Sequence, residues 1–187
     1  MAILEYGIGG NESWKGKNIR CVEMFYCMEY IFACILLSLL GCSTKPQTLY
    51  KIEKNGLFGY ADSMNNTVIK PTYPFAFTDT LNTIAFVTYN NNIIAINGKG
   101  KHLFTVFNYD NGPDYQSEGL FRIVNERGEI GFADTLGNII IKPQYKFAYP
   151  FKDGRAKVTN TGEKKQDGEY WYWDSDQWSY ITHPLIK

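Results

Sequence analysis

Two stretches of this chain are nearly copies of each other, and their first residues lie 72 positions apart. One reads GYADSMNNTVIKPTYPFAF from Gly59, and the other reads GFADTLGNIIIKPQYKFAY from Gly131. Ten of the nineteen positions are identical, and several others exchange similar residues such as Tyr and Phe. A chain that repeats a segment this closely is expected to build the same structural unit more than once.

Half of the 72-residue spacing points to a more divergent copy between the two. The segment from Ile93 to Val124 fits this place, with a turn at Gly98–Gly100, although it lacks the Lys-Pro pair and carries the longer connection NYDNGPDYQSE. A partial fourth unit follows, in which GEYWYWDSDQWSYI is interpreted as a hairpin around Asp174–Asp176. The predicted repeat domain, 50–187, therefore has units at about 50–88, 89–124 and 125–159, and a partial unit at 160–187.

The residue pattern inside each unit predicts antiparallel β-strands. Aromatic and β-branched runs alternate with turns rich in Asn and Gly, which is typical of β-hairpins. Pro71 and Pro143 are expected to end the second strand, because proline donates no hydrogen bond to a ladder. Gly59 and Gly131 lie inside strands, which indicates that a neighbouring backbone or ring approaches them closely. We expect an all-β antiparallel array of hairpin-like units, arranged as a solenoid, a propeller-like body or a curved meander, in which each unit covers the apolar face of the next.

The repeated unit resembles the WG-containing repeat family, a β-repeat found in many secreted and envelope proteins of bacteria. The residues that carry the resemblance are Gly59, Asp62, Pro71 and Tyr73 in one copy and Gly131, Asp134, Pro143 and Tyr145 in the other. The tryptophan that gives the family its name is replaced by Phe58 and Ile130. The resemblance implies a β-repeat scaffold, with these residues in structural roles, and implies no particular activity.

The first 41 residues have the features of an export signal. The apolar run from Tyr30 to Cys42 is shorter than the roughly 20 residues that span a bilayer, and it has the length of the apolar centre of a secretory signal. The junction LLGC followed by STKPQ resembles the lipobox of bacterial lipoproteins, which implies that acyl chains such as palmitate anchor Cys42 to a membrane. We therefore expect a signal helix in 1–41 and a lipid-anchored tether in 42–49. The alternative is a buried apolar helix of a cytosolic protein.

Composition argues against several classes of chemistry. Lys plus Arg and Asp plus Glu balance at 19 each, so the chain has no net field to attract nucleic acid. All four cysteines precede Ser43, and the two histidines, His102 and His183, are interpreted as surface or turn residues, so no metal or cofactor is expected. No catalytic motif is present in the sequence. Asp62 and Asp134 are interpreted as turn caps that accept hydrogen bonds from backbone amides.

The strongest candidate for a binding surface is the aromatic C-terminal segment. Strand alternation places Trp171 and Trp173 on one face and the neighbouring tyrosines on the other. Trp178 and Tyr180 are expected on the returning strand of the same hairpin. These aromatic residues form either a platform for sugar rings or a partner's side chains, or a cap that closes the repeat core.

These features favour a non-enzymatic binding or scaffold module that is anchored to the bacterial cell envelope through Cys42. Its ligand would be an envelope protein or a glycan, met on the periplasmic or the surface-exposed side. One alternative is an envelope glycan hydrolase, which needs two acidic side chains about 5–10 Å apart in a cleft. The other is a structural spacer, or a subunit whose open strand edge pairs with another chain.

Overall fold

The computed structural model describes residues 47–186, and within this range the chain contains β-strands and no helix. The all-β class expected from the sequence is thereby confirmed, whereas the expected signal helix and Cys42 lie outside the described residues. In chain order the strands are β1 (Leu49–Lys54), β2 (Leu57–Ala61), β3 (Thr67–Tyr73), β4 (Phe75–Ala76), β5 (Thr80–Leu81), β6 (Ile84–Tyr89), β7 (Asn92–Asn97), β8 (His102–Val106), β9 (Asn108–Tyr109), β10 (Gly112–Pro113), β11 (Leu120–Val124), β12 (Ile130–Asp134), β13 (Ile139–Tyr145), β14 (Phe147–Ala148), β15 (Arg155–Thr159), β16 (Glu163–Asp167), β17 (Tyr170–Asp174) and β18 (Ser179–Thr182).

The strands form five antiparallel sheets in the described part of the chain. The largest has seven strands in the order β13-β12-β11-β8-β7-β6-β4, and a second has four in the order β3-β2-β1-β5. A third sheet has the order β14-β15-β18. The remaining two are ribbons of two strands each, β9 with β10 and β16 with β17.

Hydrogen bonding links each sequence unit to the next. The third strand of the first unit, β6, does not pair with β2 or β3 and instead pairs along its whole length with β7 of the middle unit. In the same way β11, which ends the middle unit, pairs with β12 of the following unit. The hydrogen-bonded meanders are therefore offset from the sequence repeat, and each ladder ties two units together.

Gly59 and Gly131 mark the closest backbone approach in their units. Strand β3 bulges opposite Gly59, because Phe58 pairs with Tyr73 while Tyr60, two residues on, pairs with Ile69. A Cβ atom on Gly59 would lie 2.6 Å from the backbone nitrogen of Pro71. The corresponding distance from Gly131 to the nitrogen of Pro143 is 2.5 Å. Only a residue without a side chain fits under these bulges.

The middle unit has an alanine at the position of this glycine, and its strand pairing explains why a side chain is tolerated there. Ala95 lies 36 residues from both Gly59 and Gly131 and occupies the equivalent position in β7. Its ladder partner is Phe104, and the register of β7 with β8 shifts only beyond this pair. Because no backbone bulge covers Ala95, its methyl group has room, and the Lys-Pro sequence that makes the bulge elsewhere is absent.

The expectation that Pro71 and Pro143 end their strands is wrong. Strands β3 and β13 continue past these residues, and Tyr73 and Tyr145 still pair with Phe58 and Ile130. The prolines lie within the bulges. A residue without a backbone N–H is tolerated there because the bulged segment is not expected to donate to the ladder.

The buried side chains form three clusters, and each cluster draws on more than one sequence unit. Around Tyr60 and Leu81, residues of the first unit pack with Ile94 and Ile96 of the middle one. A central cluster includes Phe104 and Phe121, whose rings lie 5.8 Å apart. The third cluster surrounds Phe132, Phe151 and Val158 and is covered in part by Trp173, Trp178 and Ile181. Neighbouring units thus bury one another's apolar faces.

Candidate functional site: an aromatic cleft

A cleft of about 990 Å³ lies between the long connection of the middle unit and the ribbon β16–β17. The described residues include ten exposed aromatic side chains, and six of them line this cleft. They are Tyr109, Tyr115, Tyr149, Tyr170, Trp171 and Tyr172. Exposed aromatic surface concentrated in this way is characteristic of binding sites.

The first wall of the cleft is the connection between β8 and β11 in the middle unit, which is longer than the corresponding connections in the other units. Strands β9 and β10 form a tight hairpin, in which Asp110 and Asn111 take up positive φ angles of 49° and 63°. Asp and Asn tolerate this conformation better than other residues with side chains. The turn presents the rings of Tyr109 and Tyr115, which meet edge to face at 5.8 Å.

The floor of the cleft holds a buried ion pair between Arg122 of β11 and Asp114. The guanidinium Nε donates to Asp114 Oδ2 at 2.9 Å, and Nη2 donates to Oδ1 at 2.5 Å. Nη1 donates to the carbonyl of Ala148 at 3.1 Å, which connects the pair to β14. Both residues are at most 5% exposed, so the pair is well satisfied but depends on both partners.

The second wall is the ribbon β16–β17, which presents its tryptophans inward. Trp173 stacks on Phe147 with ring centres 5.2 Å apart and donates its indole N–H to the carbonyl of Thr161. Trp171 is 42% exposed, and the ammonium group of Lys164 lies 4.0 Å from its ring centre. Trp173 therefore lines the cleft while it packs against the core, whereas Trp171 is more open to a ligand.

The expected hairpin around Asp174–Asp176 is wrong. Strand β17 pairs with β16, and β18, which carries Tyr180, pairs with β15 in another sheet. Trp178 packs at the edge of the core, under the ammonium group of Lys157 at 4.3 Å. Tyr180 is exposed, but neither it nor Trp178 lines the cleft. The structure therefore brings Trp171 and Trp173 to the cleft and leaves the other two predicted residues elsewhere.

Asp62 and Asp134 cap equivalent turns, together with Asn97 of the middle unit. In each case the side-chain Oδ1 accepts the backbone N–H groups of the second and fourth residues that follow, at 2.8–3.0 Å. A hydrogen bond from the Asn66 side chain is the main cause of the lowered pKa of Asp62. Burial works against ionisation of Asp134, but hydrogen bonds from Asn138 and the turn amides lower its pKa overall. The shared geometry places the middle unit in register with the other two.

His183 differs from the surface residue that the sequence suggested. It is 3% exposed, and its ring packs edge to face on Phe151 at 4.6 Å. The backbone N–H of Leu185 donates to Nδ1, so Nε2 carries the proton and donates to the carbonyl of Glu118 at 3.0 Å. His183 therefore attaches the C-terminal segment to the domain, while His102 is exposed as expected.

Sequence reasoning missed the ion pair and the tyrosines of the connection. Arg122 stands in a strand of apolar residues, LFRIV, where a buried cation has no local signal of its partner. The available signal was the length of NYDNGPDYQSE, because a connection that is longer in only one unit is not needed for the repeat.

Among residues 47–186, no three His, Cys, Asp or Glu side chains are grouped so that they would hold a metal ion. Over the same residues, no helix is long and apolar enough to cross a bilayer.

The fold and the cleft define an antiparallel β-repeat protein with an aromatic cleft lined largely by segments that depart from the repeat pattern. The family model described as WG containing repeat matches residues 58–92 and 130–163, which confirms the resemblance of both near-identical copies. The middle unit lies between the two matched segments. No curated protein and no solved structure is significantly similar to the chain.

Proposed function

We propose that this protein is a binding module whose ligand occupies the aromatic cleft. One observation carries the proposal: the two segments that depart from the repeat pattern, the connection containing β9–β10 and the ribbon β16–β17, form opposite walls of the same cleft. Neither ribbon is needed to complete the larger sheets. A cleft of about 990 Å³ is at the upper end of the range that small-ligand sites occupy, roughly 300–1,000 Å³.

The buried ion pair supports a preformed site. Arg122 and Asp114 join the connection to β11, and Arg122 also donates to the carbonyl of Ala148, which lies between the lining residues Phe147 and Tyr149. A floor held by several hydrogen bonds keeps the flanking rings in place before a ligand arrives. Pre-ordering of this kind reduces the entropy that binding must overcome.

We further propose that the module is displayed from the bacterial cell envelope. The basis is the lipobox-like junction at Cys42, which lies outside the described residues, followed by a short polar tether. Several acyl chains on one residue provide stable anchoring, whereas one chain gives only marginal membrane binding. A binding module without an enzymatic role, held near the membrane in this way, would act as a receptor or scaffold for envelope components.

The experiment that tests the binding role is a screen of the full chain against panels of envelope glycans and peptides. The wild type is compared with Trp171→Ala, which removes a half-exposed ring from the cleft, and with Tyr50→Ala as control. Tyr50 is exposed to a similar degree, 47%, and does not line the cleft. Ligands that bind the wild type and the control but not Trp171→Ala support the proposal. The proposal is contradicted if every ligand that is found binds all three proteins equally, or if no ligand is found.

A further inference from the structure

We infer that the ligand of the aromatic cleft is an uncharged oligosaccharide. This ligand class rests on the proposed role of the cleft as a binding site. It follows from the chemical groups that line the cleft and from the contacts that these groups already make within the protein. The relevant groups are the exposed rings, the cations beside them and the carboxylates of the rim.

The exposed rings require a ligand with flat apolar faces. Tyr109, Tyr149 and Trp171 are each 41–45% exposed, so a large part of each ring is open to a ligand. The C–H faces of a pyranose ring are apolar and stack on aromatic rings, while its edge carries hydroxyl groups. Aromatic rings supply this contact area with little loss of side-chain entropy.

Cations of the protein already accompany the aromatic rings of the cleft. The Lys164 ammonium lies 4.0 Å from the ring centre of Trp171. The Arg122 guanidinium, which is paired with Asp114, lies 5.8 Å from the ring centre of Tyr109. At Trp171, a basic peptide or an ammonium ligand would compete with Lys164 for the ring face and would be repelled by its charge.

The rim of the cleft carries two exposed carboxylates that can accept hydrogen bonds from a ligand. Asp110 and Glu169 line the cleft, and neither is in an ion pair among the described residues. A carboxylate only accepts hydrogen bonds, and it repels an anionic ligand. A proline-rich peptide also suits aromatic grooves, but its prolines have no N–H group to donate. Hydroxyl groups both donate and accept, so a sugar satisfies the carboxylates and also the amides of Asn108 and Asn111.

The experiment measures binding of four defined probes to the full chain by calorimetry and by tryptophan fluorescence. Cellotetraose and chitotetraose are the neutral saccharides, tetralysine is the cationic probe and decaproline is the peptide probe. We expect saturable binding of at least one tetrasaccharide and none of the other two probes. Trp171→Ala and Tyr109→Ala are each expected to weaken saccharide binding about tenfold or more, as loss of a central aromatic contact does. Tyr50→Ala is expected to bind as the wild type does.

The outcomes separate the ligand class from the binding role. If neither tetrasaccharide binds, or if saccharide binding is unchanged in both cleft variants, the inference is overturned. If tetralysine or decaproline binds and Trp171→Ala abolishes that binding, the cleft is a binding site but its ligand is not a neutral sugar. The same incubations are analysed for shortened saccharides, because cleavage of the probe would instead indicate the hydrolase alternative. Thermal unfolding of each variant, measured in parallel, separates loss of a contact from loss of the fold.

Discussion

The guanidinium of Arg122 and the carboxylate of Asp114 meet through two hydrogen bonds of 2.9 and 2.5 Å in a position almost closed to solvent. The backbone N–H of Arg122 donates to the same carboxylate at 2.8 Å. Asp114 is therefore held by β11 through both the main chain and the side chain. The ion pair therefore contributes to the stability of the domain and also fixes the position of residues that line the cleft.

Replacement of Asp114 by Asn is expected to lower the free energy of unfolding by about 3–5 kcal/mol, because it leaves a buried guanidinium without a counter-charge. Urea denaturation measures this loss. The matched control is Glu163→Gln, which removes an exposed partner of Lys165 and is expected to cost less than about 1 kcal/mol. Equal effects of the two substitutions would contradict the importance of the buried pair.

Addition of a single methyl group at Gly59 or Gly131 is expected to destabilise the domain. The new Cβ would overlap the bulged backbone at Pro71 or Pro143, and relief of that overlap requires a backbone shift that costs about 1–3 kcal/mol. Gly98→Ala serves as the control, since no atom lies within 4 Å of a Cβ there, and its effect is expected to stay within about 0.5 kcal/mol. Comparable unfolding midpoints for Gly98→Ala and Gly59→Ala would show that the close approach does not constrain the chain.

Stability is expected to decrease in acid because of the turn caps at Asp62 and Asp134. Both carboxyl groups have pKa values below the ordinary value in the folded protein. Their contribution is therefore complete above the unfolded pKa, about 4, and is lost as the pH falls through the folded pKa. Circular dichroism is expected to show a melting temperature that falls between about pH 5 and pH 2.

A double variant, Asp62→Asn with Asp134→Asn, is expected to reduce this acid dependence while the turns are kept. Asn97 supports the expectation, because its amide oxygen already accepts the same two backbone N–H groups in the middle unit. Asp176→Asn, which removes an exposed carboxylate outside these two turns, is the control, and we expect it to alter the acid profile less than the double variant does. A double variant with the full wild-type acid dependence would assign that dependence to other groups.

The proposed anchor at Cys42 predicts covalent incorporation of fatty acid. Cells that express the full chain are grown with an alkyne-labelled palmitate, and the protein is expected to carry the label and to sediment with membranes. Cys42→Ala is expected to lose both properties, while Cys34→Ala, which changes an upstream cysteine, keeps them. Label that persists in Cys42→Ala would remove the anchor from the proposal.

The repeat could be predicted from the sequence because the fold restricts which residue is possible at a few individual positions. Gly59 and Gly131 recur because the bulge of the following strand leaves no room for a side chain. The positions of Pro71 and Pro143 within their strands could not be predicted from the sequence. A missing backbone N–H is equally compatible with the end of a strand and with a bulge inside it. The register with Tyr73 and Tyr145 distinguishes the two, and register is a property of the paired strands.

The cleft was only partly predictable, for a similar reason. The aromatic residues of β17 could be recognised in the sequence as a candidate binding surface. Their partner strand β16, with the sequence EKKQD, has no alternation of apolar residues that would identify it as a strand. Tyr109 and Asp114 come from a connection more than 50 residues before Trp171. Only the folded structure shows that these two segments, which lie far apart in the sequence, line the same cleft.

The ribbons β9–β10 and β16–β17 form ladders only with themselves, and this has an evolutionary consequence. Mutations or insertions in their turns and at exposed positions other than Trp173 would leave the hydrogen bonding of the seven-stranded sheet unchanged. A lineage of such proteins can therefore diversify what it recognises at low risk to folding, much as hypervariable loops do on a conserved framework.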